Sequence, residues 1–254
     1  MLKIDIIPCL NDNYSYLLYD NKTNTVAIID PSEFEVCDKI ITQKYKKLDF
    51  ILNTHHHVDH IGGNQKLKEK YNAKIFASHL DKNTIPNIDQ YLKDGDNIKI
   101  GNFYFKIILI PGHTKGHIAF YLERKKIIFT GDTLFSLGCG RIFEGTYKEM
   151  FNSLNKIKKL PKNTKIYFGH EYTKNNSSFC LNLDKKNKAL EKKIIWINKR
   201  IENGLPTSPS VLEEELETNI FLRSENNTLK KNLGMKDLSD ELVFKKLRDL
   251  KDNF

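Results

Sequence analysis

The segment Thr-His-His-His-Val-Asp-His, residues 54–60, begins at the last residue of the run Asp-Phe-Ile-Leu-Asn-Thr, residues 49–54. It places His55, His57, Asp59 and His60 within six residues. A β-strand directs alternate side chains to one face, so His55 and His57 can bind the same ion. The turn that follows directs Asp59 and His60 to a second position. Imidazole and carboxylate groups suit zinc, iron and manganese, so the segment predicts a metal site at a strand end.

Three later strand ends supply further candidate ligands. The run IILIPGH ends at His113, KIIFTGD ends at Asp132, and KIYFGH ends at His170. A carboxylate such as Asp132 can bridge two ions with its two oxygens, as a two-metal centre requires. The repeated order of strand, glycine and ligand predicts that these side chains complete a centre for two metal ions.

The other histidines near these motifs are not predicted as ligands. His56 is expected to face the opposite side of the strand from His55 and His57. His117 is expected to be a structural residue behind the ligands, and His79 is expected to lie on the surface.

Short apolar runs alternate with turn residues over residues 1 to about 169, which predicts strands mixed with helices. Capping boxes predict helix starts at Ser32 with Glu35 and at Thr146 with Glu149. We expect two layers of sheet with helices on the outside. The predicted strands are IDIIP, YSYLLY, TVAIID, DFILNT, AKIFA, FYFKIILI, HIAFYL, KIIFT and KIYFG.

The C-terminal part has the pattern of helices. One helix is predicted over residues 183–202, and an Asn-Gly pair at Asn203 ends it. A third capping box, Ser210 with Glu213, and a last helix beginning near Ser239 follow.

The change of pattern after about Tyr172 divides the chain. We predict an α+β fold, with a catalytic domain over residues 1–172 and a small α-helical, substrate-binding domain over residues 173–254. The sequence contains no internal repeat and no low-complexity linker.

The composition indicates a globular protein with a core. Hydrophobic residues make up 39% of the 254 residues, and no apolar run approaches the ~20 residues that cross a bilayer. The first residues lack the features of a targeting leader. We therefore expect a cytoplasmic protein without a membrane partner. Because the four cysteines are far apart and form no CxxC pair, they are expected to be reduced thiols.

The formal net charge is +9, a value compatible with a nucleic-acid partner or with an anionic small molecule. The excess is mostly lysine, scattered through the chain and mixed with asparagine and isoleucine. Scattered lysines favour a solvated surface. No nucleic-acid partner is therefore expected.

The motifs HxHxDH, GHTxGH, TGDTLF and GHEY occur here in the order in which the metallo-β-lactamase superfamily has them, and the chain resembles that superfamily. The resemblance implies an αββα sandwich. Within the superfamily the chain is similar to the glyoxalase II (hydroxyacylglutathione hydrolase) family along essentially its whole length. The segments that carry this closer similarity are GDTLFSLGCGRIFEGT, GHEYT, PTSPS, NIFLR and LRDLKDNF.

The resemblance implies two divalent metal ions per chain, expected to be zinc, with iron and manganese as alternatives. It implies catalytic roles for Asp59 and Asp132. The first ion would be bound by His55, His57, His113 and Asp132, and the second by Asp59, His60, His170 and Asp132.

The resemblance further implies a glutathione thioester as substrate. S-D-lactoylglutathione would be hydrolysed to D-lactate and glutathione, the second step of methylglyoxal detoxification. Apart from the resemblance, we expect a monomer. A water shared by two cations has its pKa lowered from ~15.7 towards ~7, and the hydroxide would attack the thioester carbonyl. The residues implied in substrate binding are Arg141, Phe143, Tyr172, Arg248 and Lys251. Some relatives have tyrosine in place of Phe143.

Three alternatives remain at this point. A persulfide dioxygenase shares HxHxDH but uses one iron, and it is expected to lack the helical C-terminal domain. A nucleic-acid-processing member of the superfamily would need a large inserted domain, for which 254 residues leave no room. A non-catalytic binding protein would be expected to lose metal ligands, and none is missing.

Overall fold

The first sheet contains strands β1 (Leu2–Cys9), β2 (Asn13–Asp20), β3 (Thr25–Ile29), β4 (Phe50–Leu52), β5 (Lys74–Ser78) and β6 (Gln90–Leu92), in that order across the sheet. Strands β1 to β3 are antiparallel, and β3 to β6 are parallel. The computed structural model describes all residues from Met1 to Phe254.

The second sheet contains β7 (Asn97–Ile100), β8 (Phe103–Leu109), β9 (Ile118–Leu122), β10 (Ile127–Gly131), β13 (Lys165–Phe168) and β14 (Ser210–Val211). A separate hairpin is formed by β11 (Leu134–Phe135) and β12 (Gly138–Cys139). The order across the second sheet is β14-β13-β10-β9-β8-β7. Only β10 and β13 are parallel neighbours in it, because β11, β12 and a helix connect them.

The helices lie outside the sheets. They are α1 (Phe34–Lys44), α2 (Val58–Ile61), α3 (Asn64–Tyr71), α4 (Tyr147–Lys158), α5 (Thr173–Leu183), α6 (Lys188–Glu202), α7 (Leu212–Thr218), α8 (Asn227–Asn232) and α9 (Asp240–Asp252). Buried residues of α1 and α3 pack on the first sheet, and those of α4 to α9 belong to the core of the second. No helix combines the length and the apolar character needed to cross a membrane.

Strand β2 shows how the sequence produces these layers. Tyr16 and Leu18 face the core between the two sheets, whereas Leu17 faces Cys37 and Ile41 of α1 on the other side. Alternate side chains of a strand point to opposite faces, so a strand buried on both faces has consecutive apolar residues, as β2 has at Leu17 and Leu18. The predicted α+β sandwich of the αββα type is confirmed.

All the predicted strands are present, and five further strands were not predicted. Strands β6 and β7 are short, and charged or amide side chains lie within or beside them. Strands β11, β12 and β14 have two residues each, which is too short for a periodic pattern. Strand β14 also corrects the expectation that strands end at about Tyr172, because Ser210 pairs with Ile166 of β13.

One of the three predicted capping boxes is present. Thr146 Oγ1 accepts from the Glu149 N–H at 3.1 Å, and Glu149 Oε2 accepts from the Thr146 N–H at 2.7 Å. The predictions at Ser32 and Ser210 are wrong, since α1 begins after Glu33 and α7 after Val211, and neither has a side-chain cap. Both serines are buried and make tertiary hydrogen bonds instead.

The helix predicted over residues 183–202 is present and ends at the predicted residue, but it begins five residues later, at Lys188. Helix α5 already ends at Leu183, and α6 begins at Lys188, where Asn187 accepts from the Leu190 N–H at 3.1 Å. Asn187 is a strong N-cap, which explains the break. The last helix begins where it was predicted, because Ser239 caps α9.

A buried ion pair joins the helical part to the hairpin of β11 and β12. Glu215 is fully buried and accepts from Lys193 Nζ at 2.5 Å, the Leu137 N–H at 2.7 Å and Ser136 Oγ at 2.9 Å. Burial alone would raise the pKa of Glu215, but Lys193 lowers it below the ordinary value. One continuous core also includes both sheets and the C-terminal helices. The domain boundary between residues 172 and 173 stays a prediction.

We expect Lys193→Met to lower the free energy of unfolding by roughly 3–5 kcal/mol, because Glu215 would keep a buried charge without its partner. Urea unfolding followed by circular dichroism measures the change. Lys188→Met is the matched control, since Lys188 forms an exposed pair with Glu191 and such pairs contribute at most ~1 kcal/mol. Equal losses in the two variants would contradict the structural role of the buried pair.

Candidate active site

Strand ends from both sheets meet at one edge of the sandwich. His55 and His57 follow β4 of the first sheet, and Asp59 and His60 lie on the short helix α2. The remaining candidate ligands, His113, Asp132 and His170, follow β8, β10 and β13 of the second sheet. The structure therefore brings all the predicted metal ligands together.

One group of imidazole nitrogens forms around His57. His57 Nδ1 lies 3.2 Å from His55 Nε2 and 3.0 Å from His113 Nε2. His113 Nε2 lies 3.5 Å from Asp132 Oδ2. These three histidines could hold a metal ion together.

A second group forms on the other side of Asp132. His60 Nε2 and His170 Nε2 are 3.2 Å apart, and Asp59 Oδ2 lies 3.3 Å from His170 Nε2. Asp132 Oδ1 lies 3.4 Å from His60 Nε2, and its Oδ2 lies 3.1 Å from His170 Nε2. The Asp132 carboxylate thus lies between the two groups, as a bridging ligand would.

In three of the candidate ligands, the ring nitrogen that points away from the cluster (the outer nitrogen) is next to a hydrogen-bond acceptor. This contact orients the inner nitrogen, which points into the cluster. His113 Nδ1 donates to the Arg141 carbonyl at 2.7 Å, and His170 Nδ1 donates to Asp12 at 2.8 Å. His60 Nδ1 lies 3.2 Å from Asp30 Oδ2. A proton held on the outer nitrogen leaves the inner lone pair free for a cation.

The charges of the cluster also fit a cation. Burial would raise the pKa of Asp132, but His170 and His60 lower it well below the ordinary value. Burial lowers the pKa of His60, yet Asp132 and Asp30 raise it to about 10. The buried Asp132 Oδ1 has no hydrogen-bond partner. The donor set and the negative field therefore suit divalent metal ions.

Glycines before the ligands leave room for the cluster. A Cβ at Gly169 would collide with Asp132 Oδ1, and one at Gly131 would collide with Thr54 Oγ1. Gly131 also has a φ of +46°, a conformation that favours glycine. The order of strand, glycine and ligand thus has a steric reason.

Sequence reasoning missed the residues behind the ligands. Asp30 accepts from the Thr54 N–H at 2.8 Å and from Thr54 Oγ1 at 2.6 Å, and it also contacts His60. Asn13 Nδ2 donates to Asp59 Oδ2 at 2.9 Å. The apolar run TVAIID, which ends in Asp30, was the one available signal. Asp12 lies in the turn after β1 and Asn13 is the first residue of β2, and no sequence pattern marks either of them.

The three histidines that were not predicted as metal ligands lie outside the two groups. His56 lies between Asp81 Oδ1 and Glu144 Oε1, 2.9 Å from each, and points away from the ligands. His117 Nε2 accepts from the Asp132 N–H at 3.1 Å, behind the cluster. His79 was expected on the surface; it is half-buried instead, and its Nδ1 donates to a backbone carbonyl at 3.1 Å.

A cleft of about 570 Å³ opens over the cluster. Near the ligands, the exposed Phe143 ring packs edge-on against His113 at 5.2 Å, and Tyr172 stacks on His170 at 4.7 Å. The cleft lining includes every residue predicted to bind substrate: Arg141, Phe143, Tyr172, Arg248 and Lys251.

One end of the cleft, here called the basic end, is formed by Arg141, Arg248 and Lys251. Arg248 is only 5% exposed, and it donates from Nη1 to the Cys139 carbonyl at 2.7 Å. Lys251 donates to Asn175 and lies about 5 Å from the rings of Phe179 and Phe254. Arg248 and Lys251 share a face of α9, as their spacing predicted.

Two family matches divide the chain between them. Residues 11–170 match the metallo-β-lactamase superfamily, and residues 171–254 match the hydroxyacylglutathione hydrolase C-terminus. The two sheets, the outer helices and the histidine and aspartate groups at the strand ends thus define a member of the metallo-β-lactamase superfamily.

Full-length relatives narrow the assignment. The chain is 53% identical over 253 residues to a hydroxyacylglutathione hydrolase of Pelagibacter ubique, and the match covers 100% of both chains. It is 43% identical to a hydroxyacylglutathione hydrolase of Brucella ovis, covering 100% of this chain and 98% of the relative. The chain belongs to the hydroxyacylglutathione hydrolase family.

Solved structures of lower identity share the fold. ETHE1 from Myxococcus xanthus is 23% identical, with a TM-score of 0.69, and the match covers 98% of this chain and 91% of that one. The BLEG-1 B3 metallo-β-lactamase is 22% identical, with a TM-score of 0.65, covering 87% and 99%. At these identities the likeness concerns the fold alone.

We expect His57→Ala to lose metal and His56→Ala to retain it, because His57 faces the other ligands and His56 faces Asp81 and Glu144. Elemental analysis of the purified variants, after dialysis against a weak chelator, measures the content. Equal losses in the two variants would show that the assignment of His57 as a ligand and of His56 as a non-ligand is wrong.

Proposed function

We propose that the protein hydrolyses S-(2-hydroxyacyl)glutathione thioesters, S-D-lactoylglutathione among them, to a 2-hydroxy acid and glutathione. The observation that carries the proposal is the 53% identity, over the full chain, to the hydroxyacylglutathione hydrolase of Pelagibacter ubique. The histidine and aspartate cluster and the basic end of the cleft supply the parts that the reaction needs. In a cell that produces methylglyoxal, this reaction would be the second step of its detoxification.

The proposed cofactor is a pair of divalent ions, with zinc preferred because imidazole and carboxylate ligands suit it and with iron or manganese as alternatives. His55, His57 and His113 would hold one ion, and Asp59, His60 and His170 the other, with Asp132 shared. When bound, the ions would act as Lewis acids towards the thioester carbonyl and towards water.

Asp59 and Asp132 are the proposed catalytic carboxylates. Burial would raise the pKa of Asp59, but His170 and His60 lower it below the ordinary value. An ionised Asp59, oriented by Asn13, can accept a hydrogen bond from the attacking water and fix its direction. A carboxylate of low pKa is a weak proton acceptor, so orientation is the role that its environment favours.

The basic end of the cleft is proposed to bind glutathione. Arg141, Arg248 and Lys251 offer charged donors to its two carboxylates. Phe143 has no hydroxyl to donate, so at that position it contributes apolar contact only. Burial raises the pKa of Tyr172, which keeps its hydroxyl protonated and able to donate near neutral pH.

The two parts of the chain would have different roles. Residues 1–172 would hold the metal ions and carry out the hydrolysis, and residues 173–254 would bind substrate. We also expect a cytoplasmic monomer without nucleic-acid or membrane partners, since one chain supplies all the residues assigned to the cleft.

The alternative activity, that of a mononuclear persulfide dioxygenase, is not favoured. Residues 171–254 match the hydroxyacylglutathione hydrolase C-terminus, and the chain is 53% and 43% identical over its full length to two hydroxyacylglutathione hydrolases.

The purified protein should hydrolyse S-D-lactoylglutathione and contain close to two metal ions per chain. Asp132→Ala should lower kcat by at least about 1000-fold, since it removes the shared ligand. The assay follows thioester loss, and elemental analysis of the same sample gives the metal content. A single ion in fully active protein, or equal rates for the two proteins, would contradict the proposal.

The KM for the glutathione thioester should rise with pH through the titration of Lys251. Burial, and next Arg248, lower the pKa of Lys251 to about 8. The ammonium group is therefore present below that pH and lost above it, and KM should rise about 5- to 10-fold between pH 7 and 9. Lys251→Met should have a high KM that no longer rises, whereas Lys246→Met, an exposed lysine of the same helix, should behave like the parent.

A further inference from the structure

Asp252 lies between the two arginines at the basic end of the cleft. Its Oδ1 accepts from Arg248 Nη2 at 2.9 Å, from Arg248 Nε at 3.2 Å and from Arg141 Nε at 3.4 Å. The side chain is 29% exposed and lines the cleft. Apart from Asp59 and Asp132 of the metal cluster, Asp252 is the acidic residue of that lining.

The two arginines differ in how they are held. Arg248 is buried and has a second partner in the Cys139 carbonyl. The Arg141 side chain is 57% exposed, and its hydrogen bond goes to Asp252. Asp252 therefore determines where the Arg141 guanidinium lies relative to that of Arg248.

The contacts to Asp252 leave donors available for a ligand. Arg248 uses three N–H groups, on Asp252 and Cys139, and Arg141 uses one, out of the five that each guanidinium carries. A long side chain that is already ordered loses less conformational entropy when it binds. Arg248 is thus held in place before the ligand arrives, Arg141 is directed towards Arg248 by Asp252, and both can still donate to a ligand.

We propose that Asp252 is a positioning residue for substrate, which holds Arg141 and Arg248 in the arrangement that accepts a carboxylate of the glutathione group. This inference rests on the proposed function. Two other roles predict different behaviour. A carboxylate that merely competes with the substrate for the arginines would lower KM when removed, and one that binds the glutathione ammonium would not affect a substrate whose amine is acetylated.

The test compares Asp252→Ala and Asp252→Asn with the parent on three substrates: S-D-lactoylglutathione, its N-acetylated form, and a small 2-hydroxyacyl thioester without carboxylates. For Asp252→Ala, KM should rise about 10-fold with both glutathione substrates, while kcat changes less than about 2-fold. Asp252→Asn should show a smaller rise, since its amide oxygen still accepts from the arginines. The small thioester should be hydrolysed as by the parent, and metal content should not change.

Two matched variants complete the test. Asp237→Asn makes the same change of charge at an exposed position and should leave KM unchanged. Adding Asp252→Ala to Arg141→Ala should raise KM by less than Asp252→Ala does alone, because the part of its effect that passes through Arg141 is lost once Arg141 is absent.

The proposal is overturned if KM stays the same or falls, if KM rises only for the substrate with a free amine, or if the small thioester and the metal content are affected equally. A parent enzyme that hydrolyses the small thioester but not S-D-lactoylglutathione would instead refute the proposed function.

Discussion

The Asp132 carboxylate lies buried between two groups of imidazole rings, and the arrangement of both sheets serves to place it there. A buried charge is stable only with compensating charge beside it. His60 and His170 supply that compensation, since they lower the pKa of Asp132 against the effect of burial. Each of the two groups contains side chains from the first sheet and from the second. The candidate ligands therefore come together only when the two sheets are packed against each other.

The residues behind the ligands give the centre its precision. Acceptors on the outer nitrogens of His60, His113 and His170 fix the rotation and the proton position of each ring, as metal sites generally require. Gly131 and Gly169 let the backbone approach the ligands and the residues behind them, because a Cβ at Gly169 would collide with Asp132 and one at Gly131 would collide with Thr54 and His117. Bringing so many polar groups together costs free energy. The apolar core, to which every strand that carries a ligand contributes buried residues, offsets this cost.

In the proposed function, the C-terminal helices supply the residues that would bind the part of the substrate remote from the reacting bond. The basic end of the cleft is built on α9, and Arg248 ties that helix to the Cys139 carbonyl in the hairpin that follows Asp132. Glu215 and Lys193 fix the same hairpin from the other side. Binding energy from the distant end can therefore position the thioester at the metal site.

The long strands, the family and the histidine and aspartate side chains that the fold brings together could all be predicted from the sequence, because strand periodicity and the spacing of histidines and aspartates are local properties of the chain. It also located the residues at the basic end of the cleft, through resemblance to the family. The tertiary structure alone decided the partners of Ser32 and Ser210, which have the local pattern of helix caps but are drawn into buried hydrogen bonds. It likewise decided strand β14, the contacts of Asp30 with Thr54 and the contact of Asp252 with Arg141, since each joins segments distant in sequence and no local pattern encodes such a contact.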